Sequence, residues 1–97
     1  MGNIELISHP EIEEKAKLSI QCSIQKEEDY LKAYAKIQSQ KTGKNDCTIR
    51  FVAYNEKDEI VDVGIMWWPK KKLMLADETY FDLNKNIVKI EYFPEKY

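Results

Sequence analysis

Apolar and polar residues alternate with a period of two along much of this chain, which is the pattern of β-strands that bury one face. The first clear run follows residue 17, where apolar residues occupy every second position: Leu18, Ile20, Cys22 and Ile24. The segments CTIRFVAY (47–54) and IVDVGIMWW (60–68) predict two further strands. The polar residues NEKDE between them suit a hairpin loop.

Placing Tyr54 opposite Ile60 gives a hairpin register in which apolar residues of both strands share one face. The facing pairs are then Ala53–Val61, Phe51–Val63, Ile49–Ile65 and Cys47–Trp67. A slip by one residue would turn this apolar set outward, so we expect the register to be strongly specified. The register predicts Trp67 in the core, with Met66 and Trp68 on the outer face.

Two segments carry helical signals. Ser8, Pro10 and Glu11 have the spacing of a capping box, which predicts a short helix over about residues 9–16, with a solvated lead-in as the alternative. The segment YLKAYAKIQ (30–38) alternates like a strand but also stacks residues at helical spacing. We interpret it as a strand because the following segments are β-like. A helix at 27–38 in an α+β fold is the alternative.

Three more short strands are predicted near the C-terminus, in KLMLA (72–76), ETYFDL (78–83) and NIVKIEYF (86–93). Their expected inward residues are Phe81, Leu83, Val88, Ile90 and Tyr92. Six or seven short strands with little helix predict a mainly β, antiparallel two-sheet sandwich. With 97 residues, the chain suits one domain over 1–97, with a lead-in or short helix at 1–16 and the sandwich at 17–93.

The hairpin segment FVAYNEKDEIVD resembles the signature of the FxLYD domain family, which is Phe-x-Leu-Tyr-Asp followed by a polar turn and a valine-rich strand. Phe51 and Tyr54 match this signature, whereas Ala53 replaces the usual Leu and Asn55 the usual Asp. Downstream, LADETYF is similar to a family stretch in which Leu precedes Pro-Gly-Glu-Thr and a later Phe. Glu78 and Thr79 match it, and the Pro and Gly are absent.

This resemblance covers about residues 30–93 and implies an immunoglobulin-like sandwich. Such modules occur typically in bacterial envelope or secreted proteins, and the family has no catalytic residues to carry over. The N-terminus lacks the order of a signal peptide, and no apolar run reaches the length of a membrane span. The chain as written is therefore expected to be soluble and cytoplasmic, or extracellular if a signal peptide was removed.

The composition argues against several classes of function. With 15 basic and 17 acidic residues the net charge is −2, so no overall positive field attracts nucleic acid. His9 is the only histidine and is interpreted as a tail residue, which leaves no histidine pair for catalysis or for a multi-histidine metal site. A glycine-rich phosphate loop is also absent from the sequence. We expect no enzymatic activity, no cofactor and no metal.

Basic residues concentrate in 31–50, which hold five basic residues and one acidic, and in the three lysines after Pro69. An exposed tryptophan beside such charge is typical of an interaction site. The predicted partner-binding residues are Trp68, Met66, Tyr54, Lys70, Lys71 and Lys72. We expect a non-enzymatic protein-binding module, with self-association as one outcome. The alternatives are a small intracellular inhibitor or accessory protein, for example one derived from a phage, and a nucleic-acid-binding module.

Cys22 and Cys47 are expected to be reduced and inward-facing, because both share the alternation of their apolar neighbours. In the folded protein both thiols should alkylate slowly, and after denaturation without reductant both should alkylate fully, as read by intact mass. Rapid labelling of both thiols in the folded protein would contradict their burial. Absence of labelling after denaturation would instead show a disulfide.

Overall fold

The computed structural model describes residues 4–39, 47–68 and 73–96. The described strands are β1 (Glu5–Ile7), β2 (Leu18–Lys26), β3 (Tyr30–Ser39), β4 (Cys47–Tyr54), β5 (Ile60–Trp68), β6 (Met74–Asp82) and β7 (Lys89–Lys96). A helix, α1 (Pro10–Ala16), lies between β1 and β2, and one 3-10 turn spans Leu83–Lys85. The chain is therefore mainly β, as predicted.

The strands form two sheets. Sheet A has four strands in the order β1-β7-β4-β5, and sheet B has three in the order β2-β3-β6. All neighbours are antiparallel except β1 and β7, which are parallel. The two-sheet sandwich is confirmed, and so is the strand over Tyr30–Ile37. The alternative helix at 27–38 is wrong, because β3 pairs along its length with β2 and β6.

The N-terminal segment contributes more than a lead-in. Residues Glu5–Ile7 form β1 and pair with β7. The predicted helix is confirmed over Pro10–Ala16, but the Ser8 capping box is wrong. His9 is the N-cap and makes no side-chain cap bond, because its ring is engaged by Glu91. The helix ends at Lys17 in the left-handed conformation, with φ of 62°.

The core lies between the sheets and draws on the inner face of nearly every strand. Its largest side chains include Phe51, Phe81, Ile37, Ile49 and Ile90, each at most 2% exposed. Cys47 is fully buried, whereas Cys22 is half-buried against the core, and the two cysteines form no disulfide. Burial raises the pKa of the Cys22 thiol to about 12. The inward orientation predicted for both cysteines is confirmed.

The C-terminal strands differ from the prediction in two respects, their number and the place of Val88. KLMLA and ETYFDL were predicted as two strands, but the described part forms the single strand β6. Phe81, Ile90 and Tyr92 are buried as predicted. Val88 was predicted to face inward, yet it precedes β7 and is 39% exposed.

A bulge in the β4–β5 hairpin reverses the predicted faces of β5. Tyr54 pairs with Ile60 as predicted, but Ala53 pairs with Asp62, so Val61 is an extra residue without a counterpart. A bulge of this kind places two residues opposite one and shifts the alternation of everything beyond it. Phe51 consequently faces Gly64 rather than Val63.

The bulge determines which residues of β5 are buried and which are exposed. Met66 is buried, with 2% of its surface exposed, and Trp67 is 58% exposed. The predictions that Trp67 is core and that Met66 faces outward are wrong, because the bulge exchanges the two faces. Ile65 and Val63, also predicted to be inward, are 55% and 45% exposed. The side chain of Trp68 lies outside the described part of the structure.

Gly64 shows why the bulge is needed. A Cβ atom at this position would lie 2.9 Å from Thr79 Oγ1 and 3.3 Å from Phe81 Cζ, so these two side chains of β6 would have to shift to admit a larger residue. In the predicted register Val63 would face Phe51 and occupy this inner position. The extra residue at Val61 puts glycine there instead, which avoids a steric conflict with the Thr79 and Phe81 side chains.

The corrected register predicts opposite effects of truncation at adjacent positions. Met66→Ala should lower the free energy of unfolding by about 2–5 kcal/mol, since it leaves a cavity in the core. Trp67→Ala should lower it by less than about 1 kcal/mol, as exposed substitutions usually do. Denaturant unfolding of the two variants measures both values, and a larger loss for Trp67→Ala would contradict the bulged register.

Candidate protein-contact surface

Three apolar side chains form a stripe on the outer face of β5, the face directed away from sheet B. These residues, Val63, Ile65 and Trp67, are 45%, 55% and 58% exposed and are called the β5 stripe below. Each lies two residues from the next, so all three point to the same side of the sheet. Isolated exposed apolar residues are ordinary, whereas a contiguous exposed apolar group is more typical of contact surfaces.

The stripe lies at the border of its sheet. β5 is the last strand in the order β1-β7-β4-β5, and in the described ranges only β4 pairs with it. Border strands usually carry charged outward residues that prevent another strand from pairing. The single charged residue of β5, Asp62, belongs to the inner series and lies 3.6 Å from the ammonium of Lys85. The outward positions from Val63 to Trp67 are therefore entirely apolar.

The neighbouring strand supplies a charged margin. Arg50 stands opposite Ile65 on β4, and its guanidinium donates two hydrogen bonds to the carboxylate of Glu95 on β7. The bond from Nη2 to Oε1 is 2.9 Å long. This hydrogen bonding raises the pKa of Arg50 above its usual value. Val52, opposite Val63, is 7% exposed and extends the apolar surface beneath the stripe.

The predicted site is only partly assembled. Tyr54 lies on the outer face of β4, half-buried, with its hydroxyl donating to Glu91 Oε1 at 2.7 Å. Met66 belongs to the core. The Trp68 side chain and all of Lys70, Lys71 and Lys72 lie outside the described residues. The β5 stripe was missed by the sequence prediction, although Gly64 within the strand was a signal, since an interior glycine often marks a bulge or a close approach.

His9 is not a free tail residue. Its Nε2 lies 2.5 Å from Glu91 Oε2, and its ring meets Phe93 edge-on with centroids 5.6 Å apart. Glu91 also accepts the hydroxyl of Tyr54, so one carboxylate joins the start of α1 to β7 and β4. The bond to Glu91 raises the pKa of His9. The hydrogen bond from Tyr54, with that from His9, lowers the pKa of Glu91.

The hydrogen bonds among His9, Glu91 and Tyr54 resemble those of a catalytic relay. None of these three residues lines either of the two clefts given below. Two described clefts have volumes of about 240 and 290 Å³, and the first is lined by Ile4, Lys26, Leu31, Glu56, Leu83, Asn86, Ile87 and Val88. Typical small-molecule sites are larger, at roughly 300–1,000 Å³. The His9–Glu91–Tyr54 network therefore fits a role in holding the N-terminal segment on sheet A.

The outer face of sheet B has a different character. Tyr30, Tyr34 and Tyr80 are 38%, 40% and 56% exposed, and the rings of Tyr30 and Tyr80 meet edge-on at 5.1 Å. Lys32 and Lys36 alternate with the tyrosines of β3, and Glu78 accepts the hydroxyl of Tyr80 at 2.5 Å. We call this group the tyrosine face. It is amphipathic, whereas the β5 stripe is purely apolar.

The His9–Glu91 pair predicts how stability depends on pH. A raised histidine pKa stabilises the fold below the unfolded value, 6.5, and this contribution is lost as pH rises through the folded pKa. The lowered pKa of Glu91 stabilises the fold above its ordinary value, 4.5, and that contribution is lost as pH falls through the folded pKa. The pair should therefore contribute most between these two ordinary values.

Comparison of the wild type with His9→Gln measures this contribution. The difference in unfolding free energy should be at most about 1 kcal/mol near pH 5.5 and should shrink as pH rises through the folded pKa of His9. Titration of the single histidine by NMR should give a pKa above 6.5. A difference that grows with pH would show that Glu91 does not stabilise the protonated ring.

Comparison of the chain with protein-family models, with curated proteins and with solved structures found no match. Over the described ranges, no helix is both long enough and apolar enough to cross a membrane. Nor do these residues contain a group of three or more His, Cys, Asp or Glu side chains that could hold a metal ion.

Proposed function

We propose that this protein is a non-enzymatic protein-binding module and that its contact surface is the β5 stripe. One observation carries the proposal: Val63, Ile65 and Trp67 are exposed together on the outer face of a border strand. Covering such side chains stabilises a complex, because fully burying a Val or Ile side chain contributes about 1.5–3 kcal/mol. The partner supplies an apolar surface that fits against the stripe.

The surroundings of the stripe support a protein as the partner. Protein interfaces typically combine an apolar centre with a polar margin. Tryptophan and arginine are among the residues most enriched in binding hot spots. Here Trp67 and Ile65 form the centre, and Arg50 with Glu95 forms the margin. Because that ion pair is already satisfied, the apolar centre supplies most of the binding free energy.

The non-enzymatic part of the proposal rests on the disposition of the titratable groups. His9, the only histidine, bonds through both ring nitrogens to Glu91 and Glu11. The Cys22 thiol, whose pKa is about 12, stays protonated at neutral pH and is a poor nucleophile. The Cys22 thiol is therefore not poised for nucleophilic chemistry at neutral pH, and both ring nitrogens of His9 are engaged by carboxylates.

We further propose, from the sequence resemblance, that the chain is related to the FxLYD domain family. The resemblance rests on Phe51, Tyr54, Glu78 and Thr79, and it implies a module of the kind found in bacterial envelope or secreted proteins, with no catalytic residues to carry over. The similarity to an immunoglobulin domain lies in the number of strands in each sheet, because constant-type immunoglobulin domains also pack a four-stranded sheet on a three-stranded one. The strand orders β1-β7-β4-β5 and β2-β3-β6 differ from the immunoglobulin orders A-B-E-D and C-F-G.

A second candidate function, binding of single-stranded nucleic acid, is favoured by the tyrosine face. Tyr30, Lys32, Tyr34 and Lys36 alternate on the outer side of β3 at a spacing of about 6.7 Å. Tyrosine rings can stack bases while lysines contact phosphates. Fluorescence anisotropy with an oligothymidylate decides this candidate. Binding that weakens steeply with salt supports it, and no binding at low salt rejects it.

Affinity capture from the native host tests the main proposal. The bait is the wild type, Trp67→Ala or the control Tyr80→Ala, whose side chain is 56% exposed on the opposite sheet. A specific partner should be retained by the wild type and the control and lost with Trp67→Ala. For the purified pair, Trp67→Ala should raise Kd by about 30-fold or more, the effect of a hot-spot residue.

The surface assignment is tested by amide exchange on the same purified pair. Protection should appear on β5 and the adjoining part of β4 when the partner is added. Retention of the partner by Trp67→Ala at wild-type strength, or equal loss with Tyr80→Ala, would show that the β5 stripe is not the contact surface.

A further inference from the structure

We propose that the β5 stripe takes a second copy of this chain, whose own β5 pairs with it antiparallel about a two-fold axis at Ile65. This inference rests on the proposed function, because it names the partner of the same surface. The pairing would join the two copies of sheet A into one continuous sheet.

The regular part of β5 is symmetric about Ile65. The bulge at Val61 interrupts the strand near its start, so regular pairing with β4 runs from Asp62 to Trp68. Ile65 is the middle residue of that segment. A two-fold axis there places Ile65 opposite Ile65 of the second copy and Val63 opposite Trp67 of the second copy. Every outward apolar residue then faces another apolar residue, and each small side chain faces a large one.

Charge favours a copy of the same surface. The outward residues Val63, Ile65 and Trp67 are uncharged, so two identical stripes meet without like-charge repulsion. Asp62 would stand opposite position 68 rather than opposite another Asp62, and it already lies beside Lys85. A strongly charged partner segment would gain no ion pair from the stripe.

The backbone supplies the directional part of the interaction. On the border of a sheet, alternate N–H and C=O groups point away from the paired neighbour and can bond a further strand. An isologous contact satisfies these groups equally on both copies. The stripe comprises three side chains, whereas a standard interface involves roughly 20–30 residues on each side. The dimer should therefore be weak and reversible.

Sedimentation of the purified protein tests the pairing against a matched control. The wild type should show a mass that rises with concentration towards that of a dimer. Ile65→Lys places a charge on the axis, facing its own copy, and should weaken association at least about tenfold. Ile60→Lys makes the same change at a position that is 62% exposed but precedes the bulge, and it should associate like the wild type.

Disulfide trapping tests the register. Facing residues of antiparallel strands have Cα atoms about 4.5–5.5 Å apart, within the range of a disulfide. Ile65→Cys should form a covalent dimer under mild oxidation. Val63→Cys and Trp67→Cys should each remain monomeric alone but cross-link when mixed. The wild type, with buried Cys47 and half-buried Cys22, provides the background.

The outcomes separate this inference from the proposed function. A wild type that stays monomeric at high concentration, or equal association by Ile65→Lys, overturns the second copy as partner. If a monomeric wild type still binds a different protein through Trp67, the proposed protein-binding function is supported and only the proposed dimer is rejected. Trapping of Val63→Cys alone, without Ile65→Cys, overturns the register centred on Ile65.

Discussion

The close approach of β6 to β5 at Gly64 governs which side of β5 belongs to the core. The side chains of Thr79 and Phe81 crowd the place where a Cβ atom would lie, so the inner position opposite Phe51 favours glycine. The strand meets this requirement by inserting Val61 as a bulge. Met66 then fills the core, and the three apolar residues of the β5 stripe are left outside. A steric constraint inside the sandwich thereby creates the exposed surface.

The two sides of sheet A differ in how they are covered by the rest of the chain. The β7 side is occupied by β1, and the segment that follows is held on the sheet by the bonds between His9, Glu91 and Tyr54. The β5 side has no corresponding cover in the described residues, although its outward residues are apolar. The N-terminal segment thus protects one border while the other stays available, which agrees with a contact role for β5.

The two outer faces offer different chemistry to a partner. The β5 stripe provides apolar area with one satisfied ion pair beside it, which suits an apolar protein surface. The tyrosine face of sheet B provides hydroxyls, ammonium groups and ring faces, which suit a more polar ligand. Because the sheets lie back to back, contacts on one face do not compete for space with contacts on the other. The proposed binding role depends only on sheet A.

The sequence by itself determined the mainly β class, the strand at Tyr30–Ile37, the helix near residues 10–16 and most of the core, because alternation and turn residues are local signals. It also determined the pairing of Tyr54 with Ile60. What only the tertiary structure decided was the face of each residue beyond that pair. The bulge at Val61 is selected by the contact of Gly64 with Thr79 and Phe81, which belong to a different sheet. The pairing of β1 with β7 and the bond between His9 and Glu91 likewise join distant parts of the chain. An alternating pattern shows that a strand has two faces, but the choice between them depends on the space that the rest of the fold leaves.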